Sequence, residues 1–174
     1  YIAGFSGRYI GEKEGPPKYL NTGETDLYVK SKLLYGWFQA QRQAHVTGTA
    51  VLVEGNPDVL RLHEIGVDTA VAPCGTSLTQ EQIDILTRRV KTVIMLGDTD
   101  AAGVAAVEKN GEQLLRAGLA VRVMSLPEGK DADEYFRMHS REYSECLARN
   151  TEDYVPWMCE RKMSAVTSQT QAAA

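Results

Sequence analysis

Between Thr49 and Leu126 the sequence alternates short apolar runs with amphipathic stretches, and this alternation leaves few folds open to the chain. The apolar runs are Ala50 to Val53, Thr69 to Ala72, Thr92 to Leu96 and Ala120 to Leu126; between them lie Pro57 to Ile65, Gln80 to Arg88 and Ala101 to Ala117. Short apolar runs bounded by turn signals suit buried strands, and apolar side chains three and four apart suit one face of a helix. Strands joined by crossover helices run parallel, and a parallel sheet is covered on both faces. The expected fold is α/β, with a central parallel sheet flanked by helices. Thr79 followed by Gln82 reads as a capping box that opens the second helix.

The flanking parts differ in character. Tyr1 to Phe5 and Arg8 to Ile10 are β-prone, but Gly4, Gly7, Gly11, Gly15, Pro16 and Pro17 divide them into hairpins and loops. From Ser31 to about Ala44, Leu33, Leu34, Trp37 and Phe38 recur at helical spacing with Gly48 beyond, so a helix is expected there. Past Pro127 the chain reads as helical over Ala132 to Met138, Arg141 to Ala148 and Glu152 to Met163, with Pro156 in the first turn of the last or at a kink. Thr167 to Ala174 is small and polar and is expected to be disordered. The expected divisions are a small mixed α/β subdomain over 1–48, the sheet unit over 49–138, a helical segment over 139–166 and a tail over 167–174.

A chain of 174 residues, 43% hydrophobic, can bury a core without disulfides or a structural metal. Cys74, Cys146 and Cys159 are odd in number, far apart and without histidines at ligand spacing, so they read as small buried hydrophobes. The apolar runs are too short to span a bilayer and no signal-like series opens the chain, so the expectation is a cytoplasmic protein with no membrane association. The chain opens on what reads as the middle of a strand, as a piece of a longer protein would. The net charge of −4 hides a contrast: residues 1–50 carry six Lys/Arg against four acids, and residues 51–140 carry fourteen acids against nine bases. A basic amino-terminal part beside an acidic sheet unit suits a phosphate-bearing ligand better than the total suggests.

Ligands of open parallel sheets bind beyond the carboxyl ends of the strands, and there the acids collect. Glu54 and Asp58 follow the first run, Asp98 and Asp100 the third, and Asp131 and Asp133 the fourth. Six converging carboxylates repel one another unless cations neutralise them, and Mg²⁺ accepts such hard oxygen ligands together with phosphates and water. Two ions in such a site suit phosphoryl or nucleotidyl transfer. A plainer reading stands beside this one, because Asp58, Asp100 and Asp131 each lie where a helix begins and could be caps. Glu54 is the strongest single residue, since capping does not call for glutamate before Gly55.

The segments Glu54-Gly55-x-x-Asp58-Val59 and Asp98-x-Asp100-x-Ala102-Gly103 resemble the two signatures of the TOPRIM fold, shared by primases, type IA and II topoisomerases, some nucleases and recombination proteins. Gly4 to Arg8, Pro17 to Thr22, Lys30 to Gly36, Gly75 to Thr79 and Leu126 to Asp133 resemble, in the same order, the polymerase core of DnaG-type DNA primases. The resemblance implies synthesis of short RNA primers from NTPs on a single-stranded DNA template, using two Mg²⁺ or Mn²⁺ ions. It places Glu54, Asp98, Asp100, Asp131 and Asp133 on the metal-binding acids, with Asp58 accessory, and leaves Glu54 the alternative of removing the primer hydroxyl proton. It places Arg8, Lys18, Asn21, Lys30, Lys32 and Thr76 on nucleotide or template contacts. A replicative helicase would be met through regions outside these residues, because neither a zinc-binding nor a helicase-binding module is recognisable here.

Three departures stand out. Gly97 replaces a bulky residue, Thr99 replaces a glycine, and Asn56-Pro57 replaces a Tyr-Met pair, which suggests a divergent relative from a plasmid, phage or other mobile element. Two other functions use the same residues: a TOPRIM nuclease, in which the acids activate water, and a degenerate module that holds single-stranded DNA without catalysis.

Overall fold

The computed structural model describes residues 2–10, 19–75, 77–97, 99–126, 131–139 and 143–172. Its centre is a six-stranded sheet of β3 (Leu34–Tyr35), β5 (Ala70–Pro73), β4 (Thr49–Val53), β6 (Thr92–Leu96), β7 (Ala120–Met124) and β8 (Thr151–Asp153), in that spatial order. The inner four strands are parallel, with Val51 opposite Ile94 and Val53 opposite Leu96, and the two edge strands are antiparallel. The parallel core follows the expectation from sequence. Both edge strands are additions that the sequence pattern does not show.

Side chains alternate across a strand, so each inner strand feeds two cores. Leu52, Val71, Val93 and Met95 face one side, where they meet Ala40 and Ala44 of α1 (Trp37–Thr47), Ile83 and Leu86 of α3 (Gln80–Thr87), and Leu114 of α4 (Ala101–Arg116). Val51, Val53, Ile94 and Leu96 face the other side, against Val59 and Leu62 of α2 (Asn56–Glu64), Phe136 of α5 (Ala132–Met138) and Cys146 of α6 (Tyr143–Asn150). Continuous apolar runs such as Thr92 to Leu96 arise because both faces of these strands are buried.

Three differences from the sequence reading have identifiable causes. The helix expected from Ser31 begins at Trp37, since Lys30–Lys32 form a 3-10 turn and Leu34–Tyr35 pair with Pro73 and Ala72 as β3. Gly36, at φ 81°, ends that strand, and a Cβ there would meet Val59 Cγ1 at 2.7 Å. The apparent helical spacing from Leu33 to Phe38 is therefore incidental: Leu34 is buried in the strand while Phe38 is 83% exposed. Thr151–Asp153, expected to lie at a helix start, forms β8 by pairing with Arg122 to Met124. Finally, the tail expected to be disordered from Thr167 is helical to Ala172, where α7 (Tyr154–Ala172) ends; no glycine or proline interrupts it there. Pro156 lies in the first turn of α7, where a missing N–H is harmless.

Ahead of the sheet, β1 (Ser6–Arg8) pairs antiparallel with β2 (Tyr19–Asn21) as a separate hairpin. The capping box expected at Thr79 is present and reaches further than the sequence implies. The Thr79 hydroxyl accepts from Gln82 N–H and donates to the Ser31 carbonyl at 2.5 Å. Gln82, 1% exposed, donates to the carbonyls of Lys30 at 3.1 Å and Leu33 at 2.7 Å. The basic turn is thus moored to the start of α3. No helix among the described residues is long and apolar enough to cross a membrane.

α7 docks on α4 through Tyr154, whose hydroxyl donates to the Glu108 carbonyl and whose ring lies over Gly111. A Cβ at 111 would come within 2.1 Å of that ring. Gly111→Ala gains helix propensity of about 1 kcal/mol but forces the ring out of a packed core. The expected balance is a net loss of about 1–2 kcal/mol in urea unfolding, with the cooperative transition retained.

Candidate active site

β4 lies between β5 and β6, and the chain leaves it first toward β5 through α2 and only later reaches β6 on the other side. Such a reversal opens a crevice at the carboxyl end of the strand where it occurs. Glu54 immediately follows β4 and is half-buried at that point. A groove of about 430 Å³ runs past it, lined among others by Arg8 and Asn21 from the hairpin and by Glu54, Asp58, Asp131 and Asp133 from the sheet unit. The basic and acidic parts of the sequence therefore share one groove.

The acids in it are held in different ways. Asp58 is 6% exposed, and its carboxylate accepts the N–H of Gly55 on Oδ2 and the N–H of Asp133 on Oδ1, each at 3.0 Å. Burial pushes its pKa up to about 6; the two N–H bonds oppose that rise, and the charges of Asp131 and Asp133 add to it. Asp133 is clamped by Arg61 Nε on Oδ1 at 3.0 Å and by Arg137 on Oδ2. Asp131 caps α5 by accepting the Glu134 N–H at 2.7 Å, and Asp100 caps α4 by accepting the Gly103 N–H at 2.8 Å. The N-cap reading is realised by Asp100 and Asp131, whereas Asp58 stands three residues after the N-cap Gly55 of α2 and reaches back to its N–H; Asp58 and Asp131 also line the groove.

On the basic side, Asn21 donates to the Cys74 carbonyl at 3.3 Å, which fastens β2 to the end of β5. Lys30 and Lys32 stand on the moored 3-10 turn and are not among the residues lining the groove. Lys18, Thr76 and Asp98 lie outside the described residues. The sequence reading missed Arg61 and Arg137. Arg137 was discoverable, being four residues after Asp133 on one helix, whereas Arg61 lies 72 residues away and only packing brings it there.

Gly97 has a steric reason to lack a side chain. A Cβ there would approach Val107 Cγ2 at 2.4 Å and Glu54 Oε1 at 3.4 Å, so a bulky residue requires α4 to stand further off. A second cavity of about 330 Å³, lined by Leu52, Met95, Gly97, Ala102 and Ala106 among others, adjoins Glu54 on this side.

Among the described residues no three His, Cys, Asp or Glu side chains are already gathered to hold a metal ion. The donor set nevertheless suits Mg²⁺ or Mn²⁺: hard carboxylate oxygens spaced along an open groove, where water and substrate phosphates complete the coordination. Glu54, Asp58, Asp131 and Asp133 are the carboxylates lining the groove; Asp58 and Asp133 have both oxygens bonded within the protein, and Asp131 accepts the Glu134 N–H on Oδ1.

Comparison with known proteins agrees with this geometry. Residues 51–136 match the Toprim-like family, and residues 1–41 match the N-terminal domain of the DNA primase catalytic core. The DNA primase of Myxococcus xanthus is 46% identical over 144 residues, covering 82% of this chain and 24% of that protein. The chain belongs to the DnaG-type DNA primase family. Among solved DnaG-type structures, the Aquifex aeolicus primase (zinc-binding and RNA polymerase domains) superposes with a TM-score of 0.83 at 34% identity, covering 98% of this chain and 42% of that one. The E. coli primase catalytic core gives 0.79 at 34% identity, covering 93% of this chain and 52% of that one. The chain thus spans about a quarter of the length of the primases it matches in sequence and about half of the E. coli core. The family is generally metal-dependent.

Asp58 makes a pH dependence measurable. Its folded pKa lies above the ordinary carboxylate value, so its contribution to stability is complete below the unfolded value and is lost as pH rises through about 6. Urea unfolding of the metal-free wild type and Asp58→Asn at pH 4.5 and 7.5 should show the wild type losing roughly 2 kcal/mol relative to the variant over that interval. An unchanged difference would mean that Asp58 ionises as an ordinary surface carboxylate does.

Proposed function

We propose that this chain is the catalytic part of a primase, joining ribonucleoside triphosphates into a short RNA primer on a single-stranded DNA template during replication in the cytoplasm. The observation that carries the reading is one groove at the β4 switch point that is lined both by Glu54 and Asp131 of the sheet unit and by Arg8 and Asn21 of the hairpin. A bare nucleic-acid groove would not gather carboxylates beside phosphate; a nucleotidyl-transfer site needs them for its cations. A DnaG primase catalytic domain solved bound to single-stranded DNA is 34% identical with a TM-score of 0.80 over 93% of this chain, and the RNA polymerase domain of Mycobacterium tuberculosis DnaG has been solved with double-stranded DNA. These likenesses support template binding by this chain.

In this reading Glu54, Asp98, Asp100 and Asp131 hold two Mg²⁺ or Mn²⁺ ions. The ions supply charge neutralisation for the triphosphate and acidify the attacking 3′-hydroxyl. The alternative for Glu54, which follows β4 at the switch point, is to receive that hydroxyl's proton instead of ligating an ion. Arg8 offers its guanidinium fork to phosphate, and Asn21 stands beside it to orient the nucleotide. Lys18, Lys30, Lys32 and Thr76 extend the contact to the template backbone, giving a salt-sensitive affinity without sequence preference. Residues 1–48 bring the basic side chains, residues 49–138 are the catalytic unit, and after 139 α6 and α7 pack on opposite faces of the sheet. A replicative helicase and the growing RNA are the remaining partners of the longer protein.

A template-directed assay with NTPs and Mn²⁺ tests this. Glu54→Gln and Asp98→Asn are expected to lower primer synthesis by roughly two orders of magnitude or more while circular dichroism stays unchanged. Arg8→Ala is expected to weaken template binding and to reduce the slope of log affinity against log salt by about 1. Metal-dependent DNA cleavage without NTP incorporation would instead identify a nuclease, and tight DNA binding indifferent to metal and to both acid substitutions a non-catalytic module.

A further inference from the structure

Among the described acids expected to ligate a cation, Asp58 and Asp133 have both carboxylate oxygens engaged with the protein. Both oxygens of Asp58 accept backbone N–H groups, and both oxygens of Asp133 accept from arginines. These contacts close a ring. The Asp58 carboxylate takes the Asp133 N–H, the Asp133 carboxylate takes the Arg61 guanidinium, and Arg61 lies three residues after Asp58 on α2. Two arms lead from the ring to the groove. Asp58 Oδ2 holds the N–H of Gly55, the residue next to Glu54, and Asp131 lies two residues before Asp133.

The sheet links these arms only indirectly. Glu54 follows β4, and β4 is joined to β7 only through β6. Asp131 lies beyond the end of β7, at the start of α5, so contacts between α2 and α5 act directly on the spacing of Glu54 and Asp131. The ring and its Gly55 arm supply such contacts through three hydrogen bonds of 3.0 Å, and Arg137 reinforces them from the solvent side. Charge-assisted bonds of this kind are costly to break inside a protein. Mg²⁺ tolerates little distortion of its ligand geometry, so a small error in that spacing would weaken binding.

We propose that Asp58, Asp133 and Arg61 form a tie that fixes the separation of Glu54 and Asp131, with Asp58 and Asp133 acting as positioning residues and not as cation ligands. The inference rests on the reading that Glu54 and Asp131 hold a divalent cation. It makes a counter-intuitive demand: removing the positive charge of Arg61 from beside the acids should weaken cation binding, whereas electrostatics alone, or release of Asp133 to ligate, would strengthen it.

Mn²⁺ binding to the whole chain, followed by titration calorimetry and by the electron paramagnetic resonance signal of free Mn²⁺, separates these outcomes. Arg61→Gln is expected to weaken Mn²⁺ binding roughly tenfold with the apo circular dichroism spectrum unchanged. Tighter or unchanged binding overturns the tie. Should Arg61→Gln fail to fold, Arg137→Gln on the exposed face of α5 carries the same sign test with a smaller expected loss. Amide hydrogen exchange of the metal-free protein gives a readout independent of any cation. The Gly55 and Asp133 N–H groups should be protected in the wild type, and Asp58→Ala should accelerate both together while the β4 and β6 amides stay slow. Lack of protection in the wild type, or acceleration of only one or neither, overturns the proposal. If the wild type binds no Mn²⁺ the cation reading fails, and the exchange result alone decides whether the tie exists.

Discussion

Both faces of β4 are buried, and the rest of the molecule is arranged to keep them so. Val51 and Val53 point into one core and Ala50 and Leu52 into the other, so the strand needs a helical layer on each side and hydrogen-bonded partners at each edge. Parallel pairing with β5 and β6 meets the second need, and parallel strands require crossover connections, which are the helices that meet the first. The same pairing brings the carboxyl ends of β4, β5 and β6 to one rim. The active groove is thus a by-product of how a central apolar strand is covered.

Charge follows from that geometry. Helices that return over the sheet begin at the rim, and their first turns present unpaired N–H groups to which carboxylates are drawn. Asp58, Asp100 and Asp131 all answer that local demand, and two of them line the groove as well. Capping and function are therefore not rival explanations here. A carboxylate held by its helix end is pre-positioned, and burial together with the nearby Asp131 and Asp133 raises the pKa of Asp58. Arg8 of the hairpin lines the same groove, and the hairpin is fastened there by Asn21 and the Cys74 carbonyl.

Much of this was legible in the sequence, and the parts that were not share a cause. The strand and helix order from Thr49 to Met124 could be read because burial on both faces writes itself into continuous apolar runs, and the Thr79–Gln82 cap because its signal is local. The edge strands β3 and β8 could not. Two or three residues such as Leu34–Tyr35 or Thr151–Asp153 carry no periodicity, and their conformation comes from the strand they lie against. The same holds within the site. Glu54 and its companion acids were visible as strand-end residues, but the engagement of Asp133 by Arg61 depends on how α2 meets α5.

By itself the sequence determined the α/β class, the order of the parallel elements, the rim on which the acids fall and the family to which they belong. These are consequences of local pattern: side-chain period, turn residues and spacing along the chain. Only the tertiary structure decided which carboxylates face the groove with their oxygens committed to the protein, that Arg8 and Asn21 of the hairpin line the same groove, and that a side chain at Gly97 has no room beside Val107. Those outcomes rest on contacts between residues tens of positions apart, whose distances are set by how two cores pack around one sheet.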